Sequence, residues 1–278
     1  MPVKIVTDSA ADLTAEQVAA HDIRVVPLTI RFGDEEFVDG VDLTPQAFYD
    51  KMATSDVMPA TAAPGPGAFE VAMREAGADG DTVISINLSS GLSATMQSAQ
   101  NAARAIGDDL DVRVIDSRSI TAGLGMKVIR AAELAADGAS ADDIVREIEA
   151  LVPRTHVFGA LLTLENLKKN GRIGGAQAML GSLLNIKPIV DISTGEVTEA
   201  GKQRTRSKSL VWLRDRLFQE PELEHVAICH GCSDDYEEIR DLISPRYSGD
   251  QVSIWTIGPV IGAHGGTGVA GLAWHAPA

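Results

Sequence analysis

The sequence predicts an α/β fold, in which an N-terminal domain built on a parallel sheet precedes a C-terminal α+β domain. Through the first half, short and almost wholly apolar β runs alternate with helical runs, as expected for parallel strands covered on both faces. After about residue 153 this alternation gives way to hairpin-like β pairs mixed with helices. A chain of 278 residues, 45% hydrophobic and 23% charged, can bury the cores of two such domains, which we place at residues 1–153 and 154–278.

The helices of the first domain carry clear start signals. Thr14 and Gln17 have the spacing of a capping box. Thr44 precedes a first-turn proline, and Ser140 stands three residues before an aspartate. Residues 58–67 are rich in proline and glycine, so we predict a constrained loop there rather than a helix or strand. The predicted strands are residues 3–6, 23–30, 82–88 and 112–115, and the predicted helices are 14–20, 93–106 and 121–136.

The second domain is predicted to mix strand pairs with helices and to end in a glycine-rich run. Adjacent β runs that lack a helix between them indicate strands that are at least partly antiparallel. The glycine-rich run presents one histidine, His264, on a loop that Pro259 stiffens and the nearby glycines loosen. The predicted strands are residues 155–162, 187–192, 196–201, 225–229 and 251–257, and the predicted helices are 172–184, 207–218 and 234–243.

Composition and charge exclude several classes of function. Because the formal net charge is −15, the average field repels phosphate backbones and anionic lipids, so we expect neither nucleic-acid nor membrane-surface binding. No apolar run approaches the ~18 residues of a spanning helix, and the N-terminal apolar stretch is too short for a secretion signal. Two cysteines, Cys229 and Cys232, are too few for a disulfide framework. We therefore expect a cytoplasmic protein.

Four hydroxyl residues follow the buried strand at 82–88 and stand at the start of a helix. The carboxyl end of a parallel strand and the N–H groups of a helix start together favour an anion, so these hydroxyls predict a site for a carboxylate or phosphate. The alternative is that one serine caps the helix and the others are turn residues. The four residues are Ser89, Ser90, Ser93 and Thr95.

The same segment also supports a competing enzyme hypothesis. Residues 91–94, Gly-Leu-Ser-Ala, resemble a nucleophile elbow that lacks its final glycine, at a predicted strand-to-helix turn. Ser93 would then be the nucleophile of a serine hydrolase acting on an acyl ester, with His264 as a downstream base. No residue of the sequence stands out as the acid member of a triad.

Two further motifs have both a functional and a structural interpretation. Cys229 and Cys232 form a C-x-x-C motif, which leaves redox use open, but neighbouring histidines on opposite faces of the strand do not preform a metal site. The basic turn 168–172, ending in Arg172, is either a solvated helix end or a recognition patch for an acidic or phosphate-carrying partner.

Several short segments along nearly the whole chain form a recognisable set. They include residues 7–9 (Thr-Asp-Ser), 26–28 (Val-Pro-Leu), 59–64, 86–97, 116–117 (Asp-Ser), 171–174 (Gly-Arg-Ile-Gly), 184–188 (Leu-Asn-Ile-Lys-Pro) and 257–264. Taken together, these segments resemble the DegV family of fatty-acid-binding proteins. This resemblance implies two domains with one long-chain fatty acid buried between them. It also implies that the chain presents the carboxylate to a separate fatty-acid kinase, which makes the acyl phosphate, and that the chain is not itself an enzyme and needs no cofactor.

The resemblance also assigns roles to individual residues. It implies that Thr61, Ser93 and His264 bind the carboxylate, and it places the family's arginine turn at Arg172. Because a cation on a chain of net charge −15 can orient an acidic or nucleotide-loaded partner, we expect Arg172 to serve partner docking. The alternative is an intramolecular salt bridge that orders the glycine turn. Ser89, Ser90, Thr95 and Asn185 are additional candidate ligand residues. The chain departs from the family pattern at Ala62, where many members have serine, and at Thr267, where many have proline. Neither departure removes one of the three main carboxylate contacts.

Overall fold

We analysed a computed structural model of the chain, which describes residues 2–179 and 186–277. The predicted site residue Asn185 and residues 180–184 of the predicted helix at 172–184 lie outside the described residues. The first part of the chain contains β1 (Val3–Asp8), α1 (Ala15–Ala20), β2 (Arg24–Val26), β3 (Thr29–Phe32), β4 (Glu35–Val38), α2 (Pro45–Thr54), β5 (Ala60–Ala62), α3 (Pro66–Ala76), β6 (Thr82–Asn87), α4 (Thr95–Ile106), β7 (Val112–Asp116), α5 (Thr121–Ala136) and α6 (Ala141–Leu151).

The remaining elements follow from Thr155 onward. They are β8 (Thr155–Ala160), α7 (Glu165–Lys169), β9 (Lys187–Asp191), β10 (Thr198–Gln203), α8 (Arg206–Leu217), β11 (Val226–His230), α9 (Asp235–Ile243), β12 (Val252–Thr256), α10 (Pro259–Gly265) and β13 (Ala270–His275). None of the helices in these ranges is long and apolar enough to cross a bilayer.

A four-stranded parallel sheet organises the first part, as predicted. Its strand order is β2-β1-β6-β7, and β1 is in register with β6 from Val3 opposite Thr82 to Thr7 opposite Ile86. Every residue of β6 is buried, which explains its uninterrupted apolar pattern, because helices cover both faces of the sheet.

The predicted helix starts are also confirmed. Thr14 accepts the backbone N–H of Gln17 at 3.1 Å while the Gln17 side chain accepts the N–H of Thr14 at 2.9 Å, which completes the capping box of α1. Thr44 caps α2 and Ser140 caps α6 through side-chain oxygens. Local sequence alone therefore specified these three termini.

A six-stranded mixed sheet organises the second part and confirms the predicted α+β arrangement. Its strand order is β10-β9-β8-β13-β11-β12, and only β11 and β12 pair in parallel. The helix predicted at 172–184 is wrong over its described part, which forms one short 3-10 helix, Gly174–Met179. The predicted loop around His264 is also wrong, since this residue lies in the last turn of α10.

A third, three-stranded antiparallel sheet, β4-β3-β5, was not expected. The run predicted as one strand at 23–30 is two strands in different sheets, because Pro27 interrupts it and cannot donate to a ladder. The prediction of a loop at 58–67 is corrected in part: β5 lies within it, between two prolines, and pairs with β3 through Thr61 opposite Ile30. A three-residue strand tolerates flanking prolines because they fall outside the ladder.

Helix α5 packs between the parallel sheet and the six-stranded sheet. Two glycines on α5 allow this close approach: a Cβ at Gly123 would lie 2.5 Å from Val157, and one at Gly125 would lie 2.6 Å from the carbonyl oxygen of Ala11. One continuous hydrophobic core, including Ile86, Leu124 and Val157, spans the two sheets as a result. The two parts of the chain therefore share a core in addition to each having its own.

Candidate functional site: a cavity between the sheets

Side chains from both parts of the chain line one cavity. Its empty space, including the part open to solvent, is about 890 Å³. Gly159 and Gly271, which pair across β8 and β13, form part of its wall. The apolar lining includes Leu28, Leu88, Leu92, Ile120, Val157, Leu161, Val190, Ile192, Ile257 and Val260. The lining suits a long apolar ligand.

Thr61 and His264 meet at this cavity although 203 residues separate them. The hydroxyl of Thr61 lies 3.0 Å from Nε2 of His264, and both residues line the cavity. Burial, together with the nearby positive charge of Arg172, lowers the pKa of His264 to about 4. The imidazole is therefore neutral near pH 7, and its Nδ1 is buried without a hydrogen-bond partner among the described residues.

Two asparagines that the sequence analysis missed connect β5, which carries Thr61, to α10, which carries His264. The side-chain amide of Asn170 donates to the carbonyl of Pro59 at 3.2 Å and to that of Ala263 at 3.1 Å. Asn166, on α7, donates to the same Ala263 carbonyl at 3.1 Å. The start of β5 and the end of α10 are thereby held to one another. Asn170 lies within the basic turn at 168–172, but no motif in the sequence indicates this bridging role.

Ser93 is the one predicted hydroxyl of the segment after β6 that lines the cavity. Its oxygen lies 2.9 Å from the hydroxyl of Thr95 and accepts the Thr95 N–H at 3.2 Å, which holds the start of α4. Ser89 is buried and donates to the carbonyl of Gly195 at 2.6 Å, so it joins this segment to the β9–β10 turn. Ser90 is exposed, and Thr95 is buried against Ser93. Ser89, Ser90 and Thr95 thus lie outside the cavity lining.

These contacts give no support to the serine hydrolase hypothesis. A nucleophilic serine needs a hydrogen bond to its base, and in the described part of the chain Ser93 pairs with Thr95 while His264 pairs with Thr61. Ser93 and His264 therefore do not form the hydrogen-bonded pair that a serine hydrolase needs.

Arg172 lies at the cavity and is exposed to solvent. Its guanidinium donates to the carbonyl of Asn170 at 2.8 Å and to that of Leu92 at 3.3 Å. Both acceptors are backbone groups close to Ser93 and to the Thr61–His264 pair. Arg172 therefore orders the turn after α7 and places a positive charge beside the polar end of the cavity.

Asp8 shapes the segment that carries Ser93. The carboxylate accepts the backbone N–H of Leu88 at 2.8 Å and the side-chain amide of Asn87 at 3.1 Å. Burial raises the pKa of Asp8 to about 6, and these hydrogen bonds oppose that effect. Asp8 thus fastens the carboxyl end of β1 to that of β6, a structural role for an acidic residue that the sequence analysis did not interpret.

The C-x-x-C motif is in the free thiol form. Cys229 is buried in the cavity wall, and burial raises the pKa of its thiol to about 12, which disfavours the reactive thiolate. Cys232 is partly exposed and adopts a positive φ of 50°. In the described ranges, no group of histidine, cysteine and acidic side chains is arranged to hold a metal ion.

Comparison with known proteins places the chain among relatives of the same length. A family model described as an uncharacterised protein of the DegV family matches residues 2–276. A DegV domain-containing protein of Deinococcus radiodurans is 36% identical over 278 residues, with 98% of each chain covered. The DegV protein of Bacillus subtilis is 32% identical over 279 residues, with 99% of each chain covered.

Solved structures agree over the entire chain. A DegV family protein from Thermus thermophilus, described for its fatty acid binding, superposes with a TM-score of 0.93 at 31% identity. Bacillus subtilis DegV, described as a fatty acid binding protein, superposes with a TM-score of 0.90 at 31% identity. In both comparisons 100% of each chain is covered. From the matching family model, the curated relatives and the shared fold, we conclude that this chain belongs to the DegV family.

Proposed function

We propose that this chain binds one long-chain fatty acid in the cavity between its sheets, with the carboxylate at Thr61, Ser93 and His264. The observation that carries this proposal is the combination of an apolar cavity with the Thr61–His264 hydrogen bond in its wall. The fatty acid binding described for the Thermus thermophilus and Bacillus subtilis relatives supports the same ligand class.

The acyl chain would supply most of the affinity. Burying a chain of ~16 carbons at ~0.8 kcal/mol per methylene contributes at most ~12 kcal/mol, before the costs of association and of ordering the chain. Neutral donors can then hold the carboxylate without a strong ionic clamp. With the pKa of His264 lowered to about 4, its neutral ring and the hydroxyls of Thr61 and Ser93 form such a set.

A carboxylate held in this way keeps an oxygen available for reaction, and we propose that a separate fatty-acid kinase phosphorylates it. The sequence lacks G-x-x-x-x-G-K-[ST] and the protein-kinase signature motifs, so a partner would have to bring the phosphoryl donor. Arg172 would assist docking, because it is an exposed cation beside the cavity of a chain with net charge −15.

Native mass spectrometry and analysis of extracted lipids test the ligand. We expect a copurified acyl lipid, or binding from a panel of saturated and unsaturated acids. Ser93→Ala should weaken binding about tenfold to 150-fold, the range for a hydrogen bond to a charged group of about 1.5–3 kcal/mol. Ser90→Ala is the matched control, because Ser90 lies outside the cavity lining and should leave affinity unchanged. Absence of any bound lipid across the panel would refute fatty acid binding, and ester turnover with labelling of Ser93 by a fluorophosphonate would favour a hydrolase.

Arg172→Ala tests the docking role separately. We expect near-normal lipid content and melting temperature but reduced acyl phosphate formation by the cognate kinase. Arg146→Ala, an exposed arginine on α6 outside the cavity lining, is the control and should leave the kinase reaction unchanged. Loss of bound lipid or of folding in the Arg172 variant, with a normal kinase response per loaded molecule, would assign Arg172 to structure alone.

A further inference from the structure

Two segments of this acidic chain are basic and contain no acidic residue at all. Residues 166–190 contain four Lys or Arg residues and no Asp or Glu, and residues 200–214 contain five and none. The whole chain carries 39 Asp and Glu residues against 24 Lys and Arg residues. The two segments are therefore local exceptions to the negative field of the protein.

The fold brings the two segments to one end of the six-stranded sheet. Lys187, at the start of β9, pairs with Gln203, at the end of β10. Arg206, the first residue of α8, donates to the carbonyl of Ala160 at 3.0 Å, at the end of β8 and shortly before α7. The basic residues around α7 and those around the start of α8 thus belong to one side of the molecule.

The polar end of the cavity lies at the same end of the sheet. Arg172 lines the cavity and comes from the first basic segment. Arg206, from the second, donates to the carbonyl of Gly268 at 2.6 Å, in the turn that follows His264. A molecule that approaches the proposed carboxylate site from this side therefore meets both basic segments.

Five exposed cations of these segments form what we call the basic surface: Lys168, Arg172, Lys202, Arg204 and Lys208. Within the described ranges, none of the five makes an ion pair. Their neighbours do: Lys169 lies 3.8 Å from Glu165, and Arg206 lies 2.7 Å from Asp235. The fold thus pairs adjacent cations and leaves these five available to another molecule.

Local stability does not explain the position of these charges. Lys208 lies in the first turn of α8, and no acidic residue is present in that turn. The start of a helix carries partial positive charge, so acidic side chains are favoured there and basic ones are not. Lys202 and Arg204, just before the helix, add further like charge. The cluster is unfavourable within the folded chain, which indicates that its use lies in contact with another molecule.

We propose that the basic surface docks an acidic face of the partner kinase, with Lys202, Arg204 and Lys208 extending the contact beyond Arg172. This inference rests on the proposed function, because the partner must bring its phosphoryl donor to the polar end of the cavity. An anionic bilayer would also face the acidic remainder of the chain, whereas a protein can present acidic side chains only opposite the cations.

Charge reversal on α8 and the strand before it tests this docking. The substrate is the protein loaded with octadecanoic acid, at varied concentration, and the product measured is acyl phosphate formed by the cognate kinase. We expect Lys202→Glu/Arg204→Glu/Lys208→Glu to raise KM for the loaded protein at least tenfold and to change kcat less than twofold, because docking contacts do not touch the reacting atoms. The wild-type KM should also rise with salt, since salt screens exposed charges.

The matched control reverses three exposed arginines on β2, α4 and α6, namely Arg24→Glu/Arg104→Glu/Arg146→Glu. This variant has the same change in net charge and should keep KM within twofold of wild type. Lipid content and melting temperature show whether each variant is folded and loaded. If the first variant does not fold, Lys202→Gln/Arg204→Gln/Lys208→Gln removes the charges without reversing them and should still raise KM at least threefold.

The outcomes separate this inference from the proposed function. An unchanged KM in the Lys202/Arg204/Lys208 variants, or an equal rise in the control, would refute docking at the basic surface. So would an unchanged KM combined with lost binding to phosphatidylglycerol vesicles, which would assign the surface to a membrane. If wild-type protein binds octadecanoic acid but no kinase phosphorylates it, the kinase part of the proposed function fails and this inference fails with it. If the acid does not bind, the proposed ligand itself is wrong.

Discussion

Lys127 is fully buried in α5, between the two sheets, and provides a quantitative test of the structure. Its side chain is 0% exposed, and its ammonium donates to the carbonyl of Gly123 at 2.8 Å. Burial lowers the pKa of Lys127 from 10.5 to about 7, and the attraction of Asp116 only partly opposes this. The folded protein therefore holds this proton far less tightly than the unfolded chain does.

The size of the effect follows from that difference in pKa. At ~1.36 kcal/mol per pKa unit, the fall from 10.5 to about 7 corresponds to at most about 5 kcal/mol of destabilisation by the charged form. Lys127→Met removes this cost, keeps most of the side-chain volume and gives up one hydrogen bond of about 1 kcal/mol. We expect the variant to be more stable than wild type at pH 7, by about 2–4 kcal/mol.

The dependence on pH gives a sharper signature. Because the unfolded chain binds more protons at Lys127 between pH 7 and 10.5, wild-type stability should rise with pH in that window, by roughly 2 kcal/mol from pH 7 to 9. Urea denaturation of the lipid-free protein at both pH values measures this rise. Lys127→Met should abolish it, while Lys208→Met, at an exposed lysine of α8, should retain it.

Two results would show that the reasoning is wrong. The first is a Lys127→Met variant that is less stable than wild type at pH 7, which would mean that the ammonium contributes more through its contacts than its burial costs. The second is the same rise from pH 7 to 9 in the Lys127 variant as in wild type, which would assign the titration to another group.

Three further predictions concern the site and the fold. Between pH 6.5 and 4 the unfolded chain binds a proton at His264 more tightly than the folded protein does. The free energy of unfolding of the lipid-free protein should therefore fall by up to about 3 kcal/mol on acidification. Urea denaturation of His264→Gln should show a correspondingly smaller fall. Gly125→Ala should lower stability by about 1–3 kcal/mol because its Cβ would meet the Ala11 carbonyl and the Trp255 ring, whereas Gly67→Ala, whose Cβ meets nothing within 4 Å, should not. Thr14→Ala should cost about 1 kcal/mol in thermal or urea denaturation through loss of the α1 cap, and an unchanged midpoint would contradict the capping role.

Features encoded by neighbouring residues could be predicted from the sequence. The capping box at Thr14 needs only a partner three residues away, and the apolar run of β6 needs only burial on both faces. The position of Ser93 at a candidate site could also be predicted, because the carboxyl end of a buried parallel strand is identifiable without knowing what packs against it. The family resemblance added Thr61 and His264 as carboxylate residues, and that role stays a prediction.

Other features depend on groups that are distant in the chain. The hydrogen bond between Thr61 and His264 requires β5 to pair with β3, α10 to follow β12, and Asn170 to join them. The short strand β5 escaped prediction because its proline-rich flanks resemble a loop, and its pairing with β3 outweighs that local signal.

The sequence by itself determined the two-part α/β and α+β architecture, three helix starts and a polar strand end, because short-range hydrogen bonds and hydrophobic periodicity specify them. Only the tertiary structure decided which polar groups share a cavity and which are buried. Lys127 and Thr121 both lie on α5, and nothing in their local sequence separates them from residues on a solvated helix. Their burial follows from the packing of α5 between two sheets, because removal from water is set by the surrounding structure rather than by adjacent residues.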